Sequence, residues 1–112
     1  MREGGRGMKS IYISLPIAGH EDTYEQRLDE AVEYVKAKFP EYNRIVTPKE
    51  VAMQIEELYK PKKPKYKDYL FYDIEQLYDC DAIFMCKGWF DSKGCLVEHV
   101  FALAIGVKRL YQ

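Results

Sequence analysis

Residues 82–106 read AIFMCKGWFDSKGCLVEHVFALAIG. Ala82–Cys86 is a short, unbroken apolar run, which predicts a strand covered on both faces rather than one with a solvated side. Gly88–Gly94 predicts a loop. Cys95–Ile105 predicts an almost wholly apolar helix interrupted by Glu98 and His99, and Gly106 is placed to end it in the left-handed conformation that follows many helices. Val107–Tyr111 predicts another strand. A strand apolar along its length, then a helix, then a strand is the repeating unit of a parallel sheet.

Toward the N-terminus the same unit recurs. Ser10–Leu15 (SIYISL) is β-rich and is followed at once by the breakers Pro16-Ile17-Ala18-Gly19. Tyr24, Leu28, Ala31, Val32, Val35 and Phe39 fall at helical spacing. Asp22-Thr23 with Glu25 and Gln26 predicts a capped start to that helix, and Pro40 closes it. Ile45–Thr47 predicts a strand stopped by Pro48. Glu50–Tyr59 predicts a helix packing Val51, Ile55, Leu58 and Tyr59. Residues 60–67 (KPKKPKYK) hold five lysines and two prolines and predict a loop, either solvated or able to close over an anionic ligand. Asp68 is placed to cap a further helix whose Leu70, Ile74, Leu77 and Tyr78 share a face. The order βαβ(αα)βαβ predicts a parallel sheet of four strands, or five if a short one forms near residues 50–66. The first strand and Ala82–Cys86 should be adjacent at its centre, with right-handed crossovers placing helices on both faces. Ligands of such sheets bind at the carboxyl ends of the strands.

The totals fit one small domain of 112 residues, 47% hydrophobic and 31% charged, with residues 1–9 as a flexible leader and 10–112 as the folded unit. A formal net charge of −1 gives no field to recruit a nucleic acid polymer or an acidic membrane. No apolar stretch is long enough to cross a bilayer. Cys80, Cys86 and Cys95 form no CxxC pair and have little histidine near them, which argues against both disulfides and a metal site and predicts reduced core thiols in the cytoplasm. Neither GxGxxG nor GxxxxGK occurs, so dinucleotide and ATP-loop readings are disfavoured and no cofactor is expected. Tyr69, Phe71, Tyr72, Trp89, Phe90 and Phe101 exceed what so small a core can take up, which predicts a homodimer or larger assembly.

Glu98 stands out chemically. A carboxylate inside an apolar helix is either a solvent-facing glutamate or one buried for a purpose, where the helix dipole would hold it ionised as a nucleophile. Ser92 directly precedes that helix and, with Lys93 and Gly94, makes either a plain N-cap or a phosphate cradle. Asp73 lies on the preceding helix, either solvated or aimed into the cleft. Asp81, at the amino end of its strand, reads as structural. Tyr12, inside the first strand, needs a hydrogen-bond partner if buried.

Together, IYISLPIAG (11–19), YDI (72–74), CDAIFMCKGW (80–89) and DSKGCLVEHVFALAIG (91–106) resemble the nucleoside 2-deoxyribosyltransferase superfamily. That superfamily includes a deoxynucleotide N-glycosidase branch and small bacterial and phage relatives. The resemblance implies a flavodoxin-like three-layer α/β sandwich. It implies cleavage of the N-glycosidic bond of a (deoxy)nucleoside or nucleoside 5′-monophosphate, in nucleotide metabolism, by a transferase or a hydrolase. In that scheme Glu98 is the nucleophile, Tyr12 orients it, and Asp73 handles the base or the sugar hydroxyls. Pro16, Ile17, Gly19 and His20 form the first binding turn, and Ser92 and Gly94 hold a 5′-phosphate. Leu15 and His20 depart from the family's usual glycine and arginine. They leave open an alternative: a non-catalytic nucleotide or nucleotide-sugar binding module of the same fold.

Overall fold

The computed structural model describes residues 8–112. The leader expected over residues 1–9 lies outside them up to residue 7. Lys9 is already tied to the sheet edge: its N–H donates to Asn43 Oδ1 (3.0 Å) and its carbonyl accepts from Arg44 N–H (3.1 Å).

The elements follow the expected order. β1 (Ser10–Ser14), α1 (Tyr24–Lys38), β2 (Arg44–Val46), α2 (Pro48–Tyr59), α3 (Tyr66–Tyr78), β3 (Ala82–Met85), α4 (Lys93–Ile105) and β4 (Lys108–Tyr111) are joined by loops that include 3-10 turns at Glu21–Thr23 and Trp89–Asp91. Among the described residues the sheet has four strands in the order β2-β1-β3-β4. Every pairing is parallel, and β1 and β3 lie together at the centre through Ile11↔Ala82 to Ser14↔Met85. The architecture is that of a flavodoxin-like fold.

Alternation along β1 divides the core in two, because successive side chains leave a strand on opposite faces. Ile11, Ile13 and Leu15, with Phe84 of β3, pack under Leu28, Ala31 and Val35 of α1. Tyr12 faces the other way, with Ile83 and Met85, into a core closed by Val51 of α2, Leu77 of α3 and Cys95 and Ala102 of α4. One helix thus covers one face and three cover the other.

Several local expectations are revised. α1 begins without a side-chain cap, because Thr23 turns its hydroxyl back to the His20 carbonyl (3.3 Å). α2 starts earlier than Glu50: Thr47 caps it in a reciprocal box with Glu50, and Pro48 occupies the first turn, where its missing N–H costs nothing. Leu58 and Tyr78 are 70% and 67% exposed, since each falls on the outer edge of its helix, where no element covers it. Tyr66 and Lys67 belong to α3. Asp68 acts from inside its first turn, accepting from Lys65 N–H (2.8 Å). The largest revision concerns α4. It is not packed on all sides: Leu96, Val97, Val100, Leu103 and Ile105 are between 40% and 60% exposed. Of the aromatics expected at an interface, Phe71 and Phe90 are exposed, whereas Tyr72, Trp89 and Phe101 pack against the core.

Asp81 fastens the centre of the sheet. Its Oδ2 accepts from the Ser10 N–H (2.7 Å) and the Ser10 hydroxyl (3.3 Å), and its own N–H donates to the Ser10 carbonyl (2.9 Å). Replacing it removes that acceptor and leaves a Ser10 N–H in a buried residue without that partner. Asp81→Ala should lower the unfolding free energy by about 1–3 kcal/mol, read as a reduced urea midpoint with an unchanged slope.

Candidate functional site

The chain runs from β1 outward to β2 and then crosses back over β1 to reach β3, so the loops leaving β1 and β3 diverge. Such a switch point opens a crevice at the carboxyl ends of the strands. A cavity of about 840 Å³ sits there, within the range of small-molecule sites. Its floor is Tyr12 and Glu98. Leu15, Ile17 and Ala18 come from the loop after β1, Asp73 and Leu70 from α3, and Ser92 and Gly94 from the start of α4. Tyr66 forms a roof: a Cβ on Gly94 would lie 3.6 Å from its hydroxyl.

Each catalytic candidate is brought to the site by its element. Tyr12 is on the strand face that turns away from α1. Glu98 is on the second turn of α4, in line with Cys95 and Ala102 at helical spacing, and these three are that helix's buried residues. The Glu98 side chain is enclosed, with 6% of the residue exposed. Its Oε2 accepts from the Tyr12 hydroxyl at 2.8 Å and its Oε1 from the Ser14 hydroxyl at 2.6 Å. Asp73 is partly buried and lines the same cavity.

The electrostatics overturn one expectation. Glu98 is not held fully ionised by the helix dipole. The dipole acts within the first turn, and Glu98 lies beyond it. Burial dominates and pushes its pKa up to about 7, against the pull of the Ser14 and Tyr12 hydroxyls. Asp73 is pushed up to about 8, first by burial and then by the charge of Glu98. Tyr12 is raised well above its ordinary value by burial and by both carboxyl groups, so it stays a neutral donor. Two carboxyl groups that titrate close to neutrality face one cavity. Proton exchange at neutral pH is within their reach.

The remaining candidates divide. Ile17, Ser92 and Gly94 line the cavity, whereas Pro16, Gly19 and His20 are not among its lining residues. Gly19 shapes the turn instead: its φ of +83° suits glycine, and the turn is closed by His20 N–H to the Ile17 carbonyl (2.9 Å). Exposed His20 caps the 3-10 turn that follows. Ser92 accepts from Cys95 N–H (3.3 Å) and so caps α4 while still facing the cavity. Lys62, Lys63 and Lys65 are exposed and do not line it; of residues 60–67 only Tyr66, the first residue of α3, does. Among the described residues no group of three or more His, Cys, Asp or Glu is placed to hold a metal ion, and no helix is long and apolar enough to cross a membrane.

Two residues that shape the candidate site were not picked out in the sequence. Ser14 had a usable signal, since it stands two residues after Tyr12 and must share its face. Arg27 had none: its guanidinium reaches from α1 to the carbonyls of Pro16 (3.1 Å) and Lys87 (3.3 Å), linking the loops after β1 and β3.

A family model described as "Domain of unknown function (DUF4406)" matches residues 9–111. A solved structure titled "2-desoxiribosyltransferase from Leishmania mexicana" superposes with a TM-score of 0.61 at 23% identity, over 92% of this chain. This chain spans 63% of that protein's length. A search of curated proteins finds no match. The fold relationship expected from the motifs is therefore borne out at the level of architecture.

The raised carboxyl groups carry a consequence for stability. A carboxyl group whose folded pKa lies above its unfolded value supports the fold fully below the unfolded pKa, and that support is lost as pH rises through the folded one. Glu98 and Asp73 should therefore make the protein less stable between about pH 4 and pH 8, together by a few kcal/mol. Glu98→Gln, which cannot ionise, should flatten much of that decline. Urea midpoints measured across this range, with wild type and variant in parallel, test it.

Proposed function

The chain belongs to the DUF4406 family, and we propose that it cleaves the N-glycosidic bond of a nucleoside or nucleoside 5′-monophosphate, with Glu98 as nucleophile. The observation that carries this reading is the buried Glu98 carboxyl group, gripped by two hydroxyls on the floor of an open cavity. The architecture shared with a deoxyribosyltransferase supports the same class of chemistry.

In this scheme a Glu98 oxygen attacks the anomeric carbon and forms an ester to the sugar as the carbon–nitrogen bond breaks. The departing base keeps the bonding electron pair and takes a proton from Asp73, whose raised pKa leaves it largely protonated at pH 7. Water or a second base then attacks the same carbon and frees Glu98, returning a proton to Asp73. Tyr12 keeps the carboxylate in line. Ser92 and the backbone of Lys93 and Gly94 receive the 5′ end of the sugar at the start of α4. Ile17, Leu70 and Tyr66 supply apolar and aromatic walls for the base.

A module that only bound nucleotides would gain little from this arrangement. A buried carboxyl group costs stability at neutral pH, and its hydrogen-bonding capacity is largely turned to the protein's own hydroxyls. In this reading the partners are small nucleosides or nucleotides, no cofactor is called for, and the setting is cytoplasmic. Self-association belongs to the same proposal: the exposed face of α4 presents Leu96, Val97, Val100, Leu103 and Ile105, with Glu98 turned inward, so two copies can meet there without like-charge repulsion.

Three measurements test this. Screened against a panel of nucleosides and 5′-monophosphates, wild type should release free base and Glu98→Ala should not, with ligand affinity kept within about tenfold. On the best substrate, kcat/KM should rise through about pH 7 as Glu98 ionises and fall through about pH 8 as Asp73 loses its proton. Ser92→Ala should raise KM for a monophosphate by roughly 5- to 150-fold, the equivalent of about 1–3 kcal/mol, and hardly affect the free nucleoside. For the assembly, light scattering should show a dimer or larger, and Val100→Asp, at a residue 60% exposed, should shift it to monomer without unfolding it.

A further inference from the structure

Glu98 is held by two donors, and their division of labour follows from the geometry of β1. Tyr12 and Ser14 are two residues apart on one strand and therefore leave the same face, roughly 6.6 Å apart along it. The Glu98 carboxyl group descends between them from α4. Tyr12 takes Oε2 at 2.8 Å and Ser14 takes Oε1 at 2.6 Å, so a different oxygen meets each hydroxyl. The last side-chain torsion of a glutamate is broad and roughly twofold. A single donor at Oε2 would leave the carboxyl plane free to swing about that bond. A second donor on the other oxygen removes that freedom.

Ser14 is suited to this role in a way Tyr12 is not. It is 1% exposed and is not among the cavity-lining residues, whereas Tyr12 lines the cavity floor beside the substrate space. A serine so enclosed needs a partner for its proton, and Glu98 is the acceptor. Its hydroxyl also adjoins the Cys95 thiol one turn earlier on α4, a thiol pushed up by burial and eased back by Ser14 and Ser92. Ser14 thus stands between the substrate-facing Glu98 and the capped start of α4.

We propose that Ser14 is a positioning residue for Glu98: through its hydrogen bond to Oε1 it fixes the plane of the carboxyl group. The inference deepens the nucleophile reading and rests on it for its meaning in catalysis. The hydrogen bond itself exists in the resting protein, with or without turnover.

Other titratable groups around Glu98 must be kept apart from this effect. They are Tyr12 on β1, Asp73 on α3, Cys95 on α4 and Cys86 after β3, with Glu21, Asp91 and Lys93 on the walls of the same cavity. Asp73 titrates in the same range, so the test belongs in an Asp73→Asn background. The probe is the side-chain carboxyl resonance of Glu98 in protein labelled with carbon-13 at glutamate, titrated without substrate. Ser14→Ala should raise the Glu98 midpoint by about one pH unit, the size expected when a charge-assisted hydrogen bond is lost. Ser14→Cys keeps the volume with a weaker donor, should move the midpoint in the same direction by less, and serves alone if the alanine variant does not fold. A midpoint within about 0.2 pH unit of the background in the folded variants would overturn the proposal. Base release is scored separately, on the chain with Asp73 intact. A shifted midpoint in a protein that releases no base from any substrate would uphold the role of Ser14 and sink the nucleophile reading; a static midpoint in an active enzyme would do the reverse.

Discussion

A carboxyl group enclosed by protein is costly unless its oxygens find donors, and most of this molecule's arrangement around Glu98 follows from that constraint. The donors come from β1, which can supply two hydroxyls to one point because Tyr12 and Ser14 share a face. For β1 to turn that face inward it must be a central strand, flanked by β2 and β3 and buried along its whole length. For Glu98 to descend onto it, α4 must cross the same face and bury a stripe of Cys95, Glu98 and Ala102. The acid is thus satisfied only once the central strand and the last helix are both in place. Its raised pKa shows that two hydroxyls offset burial only in part.

That residual cost is what the proposed chemistry would draw on. A fully solvated glutamate would be ionised at neutral pH but a weak nucleophile, wrapped in water. A glutamate fully satisfied by several donors would be ionised and inert. Glu98 lies between these cases, and Asp73 is displaced further in the same direction by the charge of its neighbour. Two like groups raised together, Asp73 above Glu98, can divide the proposed roles of base-side acid and carbon-side nucleophile without any difference in their intrinsic chemistry.

How far the fold was legible depended on whether its signals were local. β3 could be read because a strand buried on both faces is apolar throughout, and β1 because a β-rich run is followed at once by the breakers Pro16–Gly19; a parallel sheet followed from helices alternating with strands. Glu98 and Tyr12 could each be singled out because each breaks a local rule, a charge in an apolar helix and a hydroxyl in a buried strand, and the family resemblance paired them. Ser14 breaks no such rule, since serine is unremarkable in any strand, and its importance arises only when α4 is laid across β1. Arg27 was illegible for the same reason: its two carbonyl partners are 11 and 60 residues away. The apolar sequence of α4 misled in the opposite sense. Composition reports that a helix has apolar faces but not which of them the rest of the chain covers. In a four-stranded sheet, α4 lies at the end of the helical layer, over the edge pair β3 and β4.

This position links the outer surface of α4 to its inner one. The helix is anchored inward by three residues, one of them an acid, so its apolar contribution to the core is small for its length. At its C-terminus Gly106 turns the chain in the left-handed conformation, with its N–H bonded to the Ala102 carbonyl, and β4 follows directly as the edge strand. The segment that carries Glu98 is therefore held firmly at its capped start and at its turn into β4, and more lightly between. A second copy covering Val100 and Leu103 would add apolar burial to the turn after Glu98. The placement of the acid would then tighten with assembly, although no residue of the outer face touches the cavity.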